Sequence, residues 1–167
     1  MAKMPGRLPH GFPSEDDYRA VLESAAFKDM EAFSDRFLSS NGRALGGQGR
    51  RWGKDPLHQW SRQWEYPFVF DRLGVAAGRN KETIILDAGS GVTFFPHYLG
   101  ERFPSLTVHC CDSDARLRNV FERIDSRAAP RVEFFQADIR SIPGEDSRYD
   151  AVYCISVLEH TERFEDI

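Results

Sequence analysis

The sequence predicts an α/β fold, a doubly wound parallel sheet preceded by a helical extension, on three observations. From residue 83 onward, short apolar runs alternate with segments whose apolar residues recur at helical spacing, and strands that alternate with helices favour a parallel sheet covered on both faces. The first of these runs passes directly into an acid and two glycines, ILDAGSG at 85–91, which is a strand end followed by a sharp turn. The chain has 167 residues, 41% of them hydrophobic, enough for one compact domain with a core and too few for two. The expected division is a helical extension or lid over 1–80 and a sheet half over 81–167.

Taken in order, the first dozen residues are rich in Pro and Gly and read as a flexible entry. Ser14 is the expected N-cap of a first helix, with Asp17 standing in for the usual Glu of a capping box. Tyr18, Val21, Leu22 and Ala25 follow at helical spacing, and the helix is expected to extend, with a break, to Phe37 and Leu38. A glycine-rich basic stretch over 39–51 reads as a loop, and the basic residues of 43–54 as a solvated loop in preference to a polyanion site. Asp55 and Pro56 stand as N-cap and N1 of a helix carrying Leu57, Trp60 and Trp64, which Pro67 ends or passes to a successor through Phe68, Val69, Phe70 and Leu73. That aromatic stripe reads either as core packing or as a lid in which Trp64, Tyr66 and the basic loop close on a ligand. Strands are then expected over 83–86, 106–111, 132–135 and 151–155, with helices over 93–102, from 114, and over 157–167. Pro96 is tolerated because it falls in a first helical turn.

The acid of ILDAGSG carries more information than the glycines. In such a sheet ligands bind at the carboxyl ends of the strands, where Gly89 and Gly91 let backbone turn and approach a ligand closely. A dinucleotide would need G-x-G-x-x-G, and the sixth position counted from Gly89 is Phe94. Asp87 also stands where a pyrophosphate would have to lie, and like charges in a partly dry site repel strongly. A ligand with a cationic group suits that carboxylate. Asp112 closes the second strand at the distance from the glycines where an acid accepts ribose hydroxyls. Asp138 and Ile139, past the third strand, could accept from an exocyclic amine and pack on the flat face of a base. Together they outline a nucleoside with a positively charged tail.

The segments ILDAGSG, VHCCDSD, VEFFQADIRSIP and YDAVYCISVLEH, in that order, resemble the nucleoside-binding half of the class I S-adenosylmethionine-dependent methyltransferases. The likeness spans residues 82–162 and is closest to the broad type 11-like group acting mainly on small molecules. It implies a Rossmann-like sheet, S-adenosyl-L-methionine as cofactor and a small-molecule methyl acceptor. It further implies that Asp87, Ala88, Gly89, Ser90 and Gly91 line the methionine end, Asp112 and Ser113 the ribose, and Asp138 and Ile139 the adenine. Cys154 and Ile155 would lie beside the methionine group and the reacting centre. Thr93 stands where the family often has a further glycine. Members usually continue through three more strands, so the chain is expected to be truncated after its fourth.

Other readings fit the same residues. Asp87 could merely hydrogen-bond its turn, Asp114 could cap the next helix, and Asp138 could simply face water. His160, after the fourth strand, is the candidate proton acceptor, with a solvated histidine as the plain alternative. A nicotinamide-dependent oxidoreductase and a non-catalytic S-adenosylmethionine-binding module are the rival functions. The sequence calls for no metal: Cys110, Cys111 and Cys154 have no metal-ligand or disulfide spacing and read as packing groups. A D/N-P-P-Y signature is absent after the fourth strand, and the net charge of −4 argues against broad nucleic-acid binding. No apolar run approaches the roughly 20 residues of a membrane span, and the first residues lack a signal-peptide core, so a cytoplasmic protein is expected.

Overall fold

The computed structural model describes residues 7–46, 55–59, 61–77, 82–125, 131–144 and 147–160. Three helices come first: α1 (Glu15–Glu23), α2 (Ala25–Leu45) and α3 (Arg62–Ala77). Then β1 (Thr83–Ala88), α4 (Phe95–Arg102), β2 (Leu106–Asp112), α5 (Leu117–Phe121), β3 (Val132–Gln136) and β4 (Ala151–Tyr153) alternate, followed by a 3₁₀ turn at Leu158–His160. The four strands are all parallel in the order β3-β2-β1-β4. Placing β1 between β2 and β4 makes its carboxyl end the point where strand order reverses, the ligand-binding position of this architecture.

The start of α1 follows the expected chemistry. The Ser14 hydroxyl accepts from Asp17 N at 3.1 Å while Asp17 Oδ2 accepts from Ser14 N at 3.3 Å, a reciprocal capping box. Ser24 is the expected break: its extended backbone ends α1, and its hydroxyl accepts from Phe27 N to start α2. α2 buries Phe27, Met30, Phe33 and Phe37. Its partly buried Asp29 accepts from Arg102 at 2.7 Å on both oxygens and from the Tyr98 hydroxyl at 3.0 Å, which ties α2 to α4. The Arg102 guanidinium holds the Asp29 carboxyl below its ordinary pKa.

Three expectations are corrected. The glycine-rich loop does not begin at residue 39, because α2 continues to Leu45. Buried Asn41 explains this: its amide donates to Phe37 O at 3.0 Å and accepts from Asp125 N at 3.1 Å, so a tertiary contact overrides weak local propensity. Asp55 caps only a single turn, accepting from Leu57 N and His58 N, and the helix begins later at Arg62. Pro67 neither ends nor restarts that helix but lies inside it. Its missing N–H forfeits one bond to the Gln63 carbonyl, a cost of about 3 kcal/mol that burial of Trp64, Tyr66, Phe70 and Leu73 offsets. Residues 47–54, Trp60 and 161–167, on which the basic-loop and terminal-helix expectations partly fall, lie outside the described residues. The entry segment is also anchored, since Leu8 is buried and its N–H donates to Asp71 at 3.3 Å.

The core is asymmetric about the sheet. One face, with Ile85, Val108, Cys110 and Tyr153, packs with Phe94, Phe95, Tyr98 and Leu99 and with the aromatic side chains of α2 and α3 in one continuous cluster. Tyr66 meets Phe95 at 4.8 Å and Phe94 at 5.2 Å between ring centroids, so the aromatic stripe of α3 is core packing. The opposite face is smaller, with Leu86, Ala88, Cys111 and Ala137. Because side chains alternate along a strand, adjacent Cys110 and Cys111 belong to opposite faces, and all three cysteines are free thiols.

Candidate functional site

The site grows from the carboxyl ends of β1, β2 and β4. Asp87 sits level with Cys110 on β2 and Tyr153 on β4, on the same face as Ile85. Helices cover that face, and Asp87 is only 5% exposed. Burial disfavours the ionised form, and its pKa is pushed up to about 7, with Asp112 adding a smaller upward push. Among the described residues no cation pairs with it. The Tyr153 hydroxyl is close enough to favour the ionised carboxylate, yet it has no partner of good hydrogen-bond geometry. A buried acid and a buried, unsatisfied hydroxyl therefore face each other at the strand ends, an arrangement that costs stability and that folded proteins seldom keep without a use.

The turn beyond Asp87 is built from backbone. Gly89 N and Ser90 N both donate to Cys111 O at 2.9 Å, which folds the turn against the end of β2. Gly89 has φ +74° and Gly91 φ +52°, both in the left-handed region that favours glycine. Their surroundings differ. A Cβ on Gly89 would lie 2.5 Å from Val157 Cγ1, so glycine there admits the segment after β4. A Cβ on Gly91 would meet nothing within 4 Å, so the space above it is open for a ligand to approach backbone. The hydroxyl of buried Ser90 donates to Gly91 O at 3.1 Å.

Asp112 joins this turn to the loop after β2. Its Oδ2 accepts from Gly91 N at 3.0 Å and its Oδ1 from Asp114 N at 2.9 Å. Each carboxylate oxygen has two acceptor positions, so one per oxygen remains for a pair of sugar hydroxyls. Ser113 contributes its carbonyl to Gln136 Nε2 at 3.3 Å. Asp114 does not cap α5; it binds Arg116 through backbone and guanidinium.

At the end of β3 the picture differs. Asp138 accepts from Arg140 N at 2.9 Å and from the Arg140 guanidinium on both oxygens at 2.6–3.1 Å, and this holds its pKa down at about 2. A base amine at Asp138 would have to share or displace Arg140. Ile139 packs beside Ala88, Cys111 and Ala137, presenting a partly exposed apolar side chain at the same rim. Partly buried Cys154 and Ile155 follow β4, the Cys154 thiol pushed up to about 11 by burial and so protonated at neutral pH. His160 is exposed on the 3₁₀ turn, its N–H donating to Val157 O at 2.9 Å.

Sequence reading missed a second set of side chains. Ser156, between Ile155 and Val157, has φ +54°, which is uncommon for a residue with a Cβ. Its hydroxyl donates to Glu65 Oε2 at 3.1 Å and accepts from Arg62 Nε at 3.4 Å, so the start of α3 holds the segment after β4. Tyr66, one turn along α3 from Arg62 and already named in the lid reading, is buried among Asp87, Arg62 and Thr93. No spacing in the sequence links residues 62–66 to 156; only the fold does.

Among the described residues no cluster of three or more His, Cys, Asp or Glu could hold a metal ion, and no helix is long and apolar enough to cross a membrane. Residues 85–166 match the family described as methyltransferase domain. An uncharacterized protein of Synechococcus sp. is 30% identical over 115 residues, covering 66% of this chain and 26% of that protein. The chain thus spans about a quarter of the length of this relative. Among solved structures, coclaurine N-methyltransferase bound to N-methylheliamine and S-adenosylhomocysteine is similar over 86% of this chain and 49% of that one, at 13% identity and a TM-score of 0.43.

Proposed function

We propose, from the match of residues 85–166 to the methyltransferase domain family, that the chain binds S-adenosyl-L-methionine and supports methyl transfer to a small-molecule acceptor. The observation that carries the reading is Asp87: a carboxyl buried at the strand-order reversal, pushed up to about 7, with no cation beside it among the described residues. A ligand bringing an ammonium and a sulfonium relieves that cost, whereas a pyrophosphate would worsen it. Gly91 offers open backbone next to it, and Asp112 keeps acceptor capacity for ribose hydroxyls.

The sulfonium supplies an already electrophilic methyl group, which an oxygen, nitrogen, carbon or sulfur nucleophile displaces in line. The protein's share is then positioning and exclusion of water. In this reading the 87–91 turn and the 154–157 segment orient the methionine end, Asp112 and Ser113 the ribose, and Asp138 and Ile139 the base. His160 takes a proton where the acceptor must lose one.

Isothermal titration of the 167-residue chain with S-adenosylhomocysteine, S-adenosylmethionine and NAD(H) tests the cofactor assignment. Binding of the two adenosyl ligands with none of NAD(H) is expected. NAD(H) binding in place of both would overturn the assignment, and cofactor binding without methyl transfer to any acceptor, in a protein spanning the whole family domain, would favour a non-catalytic module.

A further inference from the structure

We propose that Arg62 of α3 is a specificity residue for the amino-acid end of the cofactor, its guanidinium taking the carboxylate of a tail whose ammonium faces Asp87. The inference rests on the cofactor reading above and adds a residue outside the 85–166 family segment.

Placement comes first. Arg62 Nε lies 3.4 Å from the Ser156 hydroxyl, and the next residue, Val157, packs on Gly89. One turn along α3, the buried Tyr66 hydroxyl lies within electrostatic reach of both Arg62 and Asp87. One cation and one buried carboxylate thus converge on the same end of the sheet. A zwitterionic α-amino-acid group needs both signs there, and the acids of the 85–166 segment provide only one.

Charge pairing points the same way. Arg62 and Glu65 are three residues apart on a helix, a spacing at which opposite charges usually meet. Here they do not. Glu65 is occupied by two hydroxyls, Ser61 at 2.9 Å and Ser156 at 3.1 Å. Arg62 donates to two neutral acceptors, Ser156 Oγ and, at 3.2 Å, Gln59 Oε1. Among the described residues it pairs with no carboxylate, although it is partly buried. A guanidinium held only by neutral acceptors keeps most of its five donors for an incoming anion. Its planar fork suits a carboxylate in particular.

Calorimetry on the 167-residue chain with S-adenosylhomocysteine and its decarboxylated analogue, which keeps the amine and loses the carboxylate, tests this without any variant. The wild-type chain is expected to bind the intact ligand about tenfold more tightly or better, the gain from one charge-assisted bidentate contact. Arg62→Met keeps the apolar stem; it is expected to erase that ratio while leaving the analogue's affinity within about twofold, and Arg62→Lys to restore part of it. Equal wild-type affinities, or an Arg62→Met loss shared by both ligands, would overturn this inference while leaving the cofactor reading intact. Binding of neither ligand by the wild-type chain would overturn both. Circular dichroism and a thermal melt establish that each variant is folded.

Discussion

At the end of β1 the Asp87 carboxyl is 5% exposed and pushed up to about 7, whereas beyond the end of β3 Asp138 is only partly buried, clasped by Arg140 and held down at about 2. Both acids fall at carboxyl ends of strands in one sheet, with β2 between them, and sequence reading gives them to the same ligand. Their resting states teach that they cannot serve it equally. Asp87 carries a desolvation cost that a ligand cation removes, so binding there gains strength from the free protein's own strain. Asp138 is already satisfied by a side chain two residues away, so a ligand there exchanges one hydrogen bond for another.

The sharpest way to break this contrast is Asp87→Asn, which keeps shape and removes charge. Affinity for S-adenosylmethionine is expected to fall by about two orders of magnitude, the scale of a buried charge-assisted contact. Stability should move the other way. Because the folded-state pKa lies above the unfolded one, Asp87 holds its proton more tightly when folded, and the wild-type chain loses stability as pH rises from about 4 to about 7. The advantage of Asp87→Asn in urea unfolding is therefore expected to grow by on the order of 2–4 kcal/mol between about pH 4.5 and about pH 8. A variant that binds normally, or is less stable at every pH, would remove the distinction between the two acids.

A smaller effect sharpens the same comparison. Asp138→Ala is expected to change cofactor affinity by about threefold or less, since the contact it forfeits competes with Arg140 in the free protein. Titrations of the two variants side by side measure the difference. A loss at Asp138 as large as that at Asp87 would show that Arg140 gives way at no cost.

Much of the sheet was legible because its signals are local. Each strand is a short apolar run, and the left-handed backbone at Gly89 and Gly91 is a property glycine announces. Asp87, Asp112 and Asp138 were legible as strand-end acids, because a strand's end fixes where its last side chains stand. Their states were not, because the burial of Asp87 comes from helices packed over its face of the sheet, and neutralisation of Asp138 from an Arg whose rotamer sequence does not dictate. The same limit applies to α2 beyond residue 39 and to α3 through Pro67, where tertiary contacts such as Asn41 to Asp125 outweigh propensity. Arg62 and Ser156 lie 94 residues apart, and nothing short of the fold brings them together.

The central claim is that the Asp87 carboxyl is held ready for a cation. Its carboxyl carbon can be followed by nuclear magnetic resonance across a pH titration, in the free chain and with saturating S-adenosylmethionine. A midpoint near 7 in the free chain, falling by about two units or more on binding, is the predicted result. A free-chain midpoint in the ordinary aspartate range, or one that S-adenosylmethionine leaves unmoved, would contradict it.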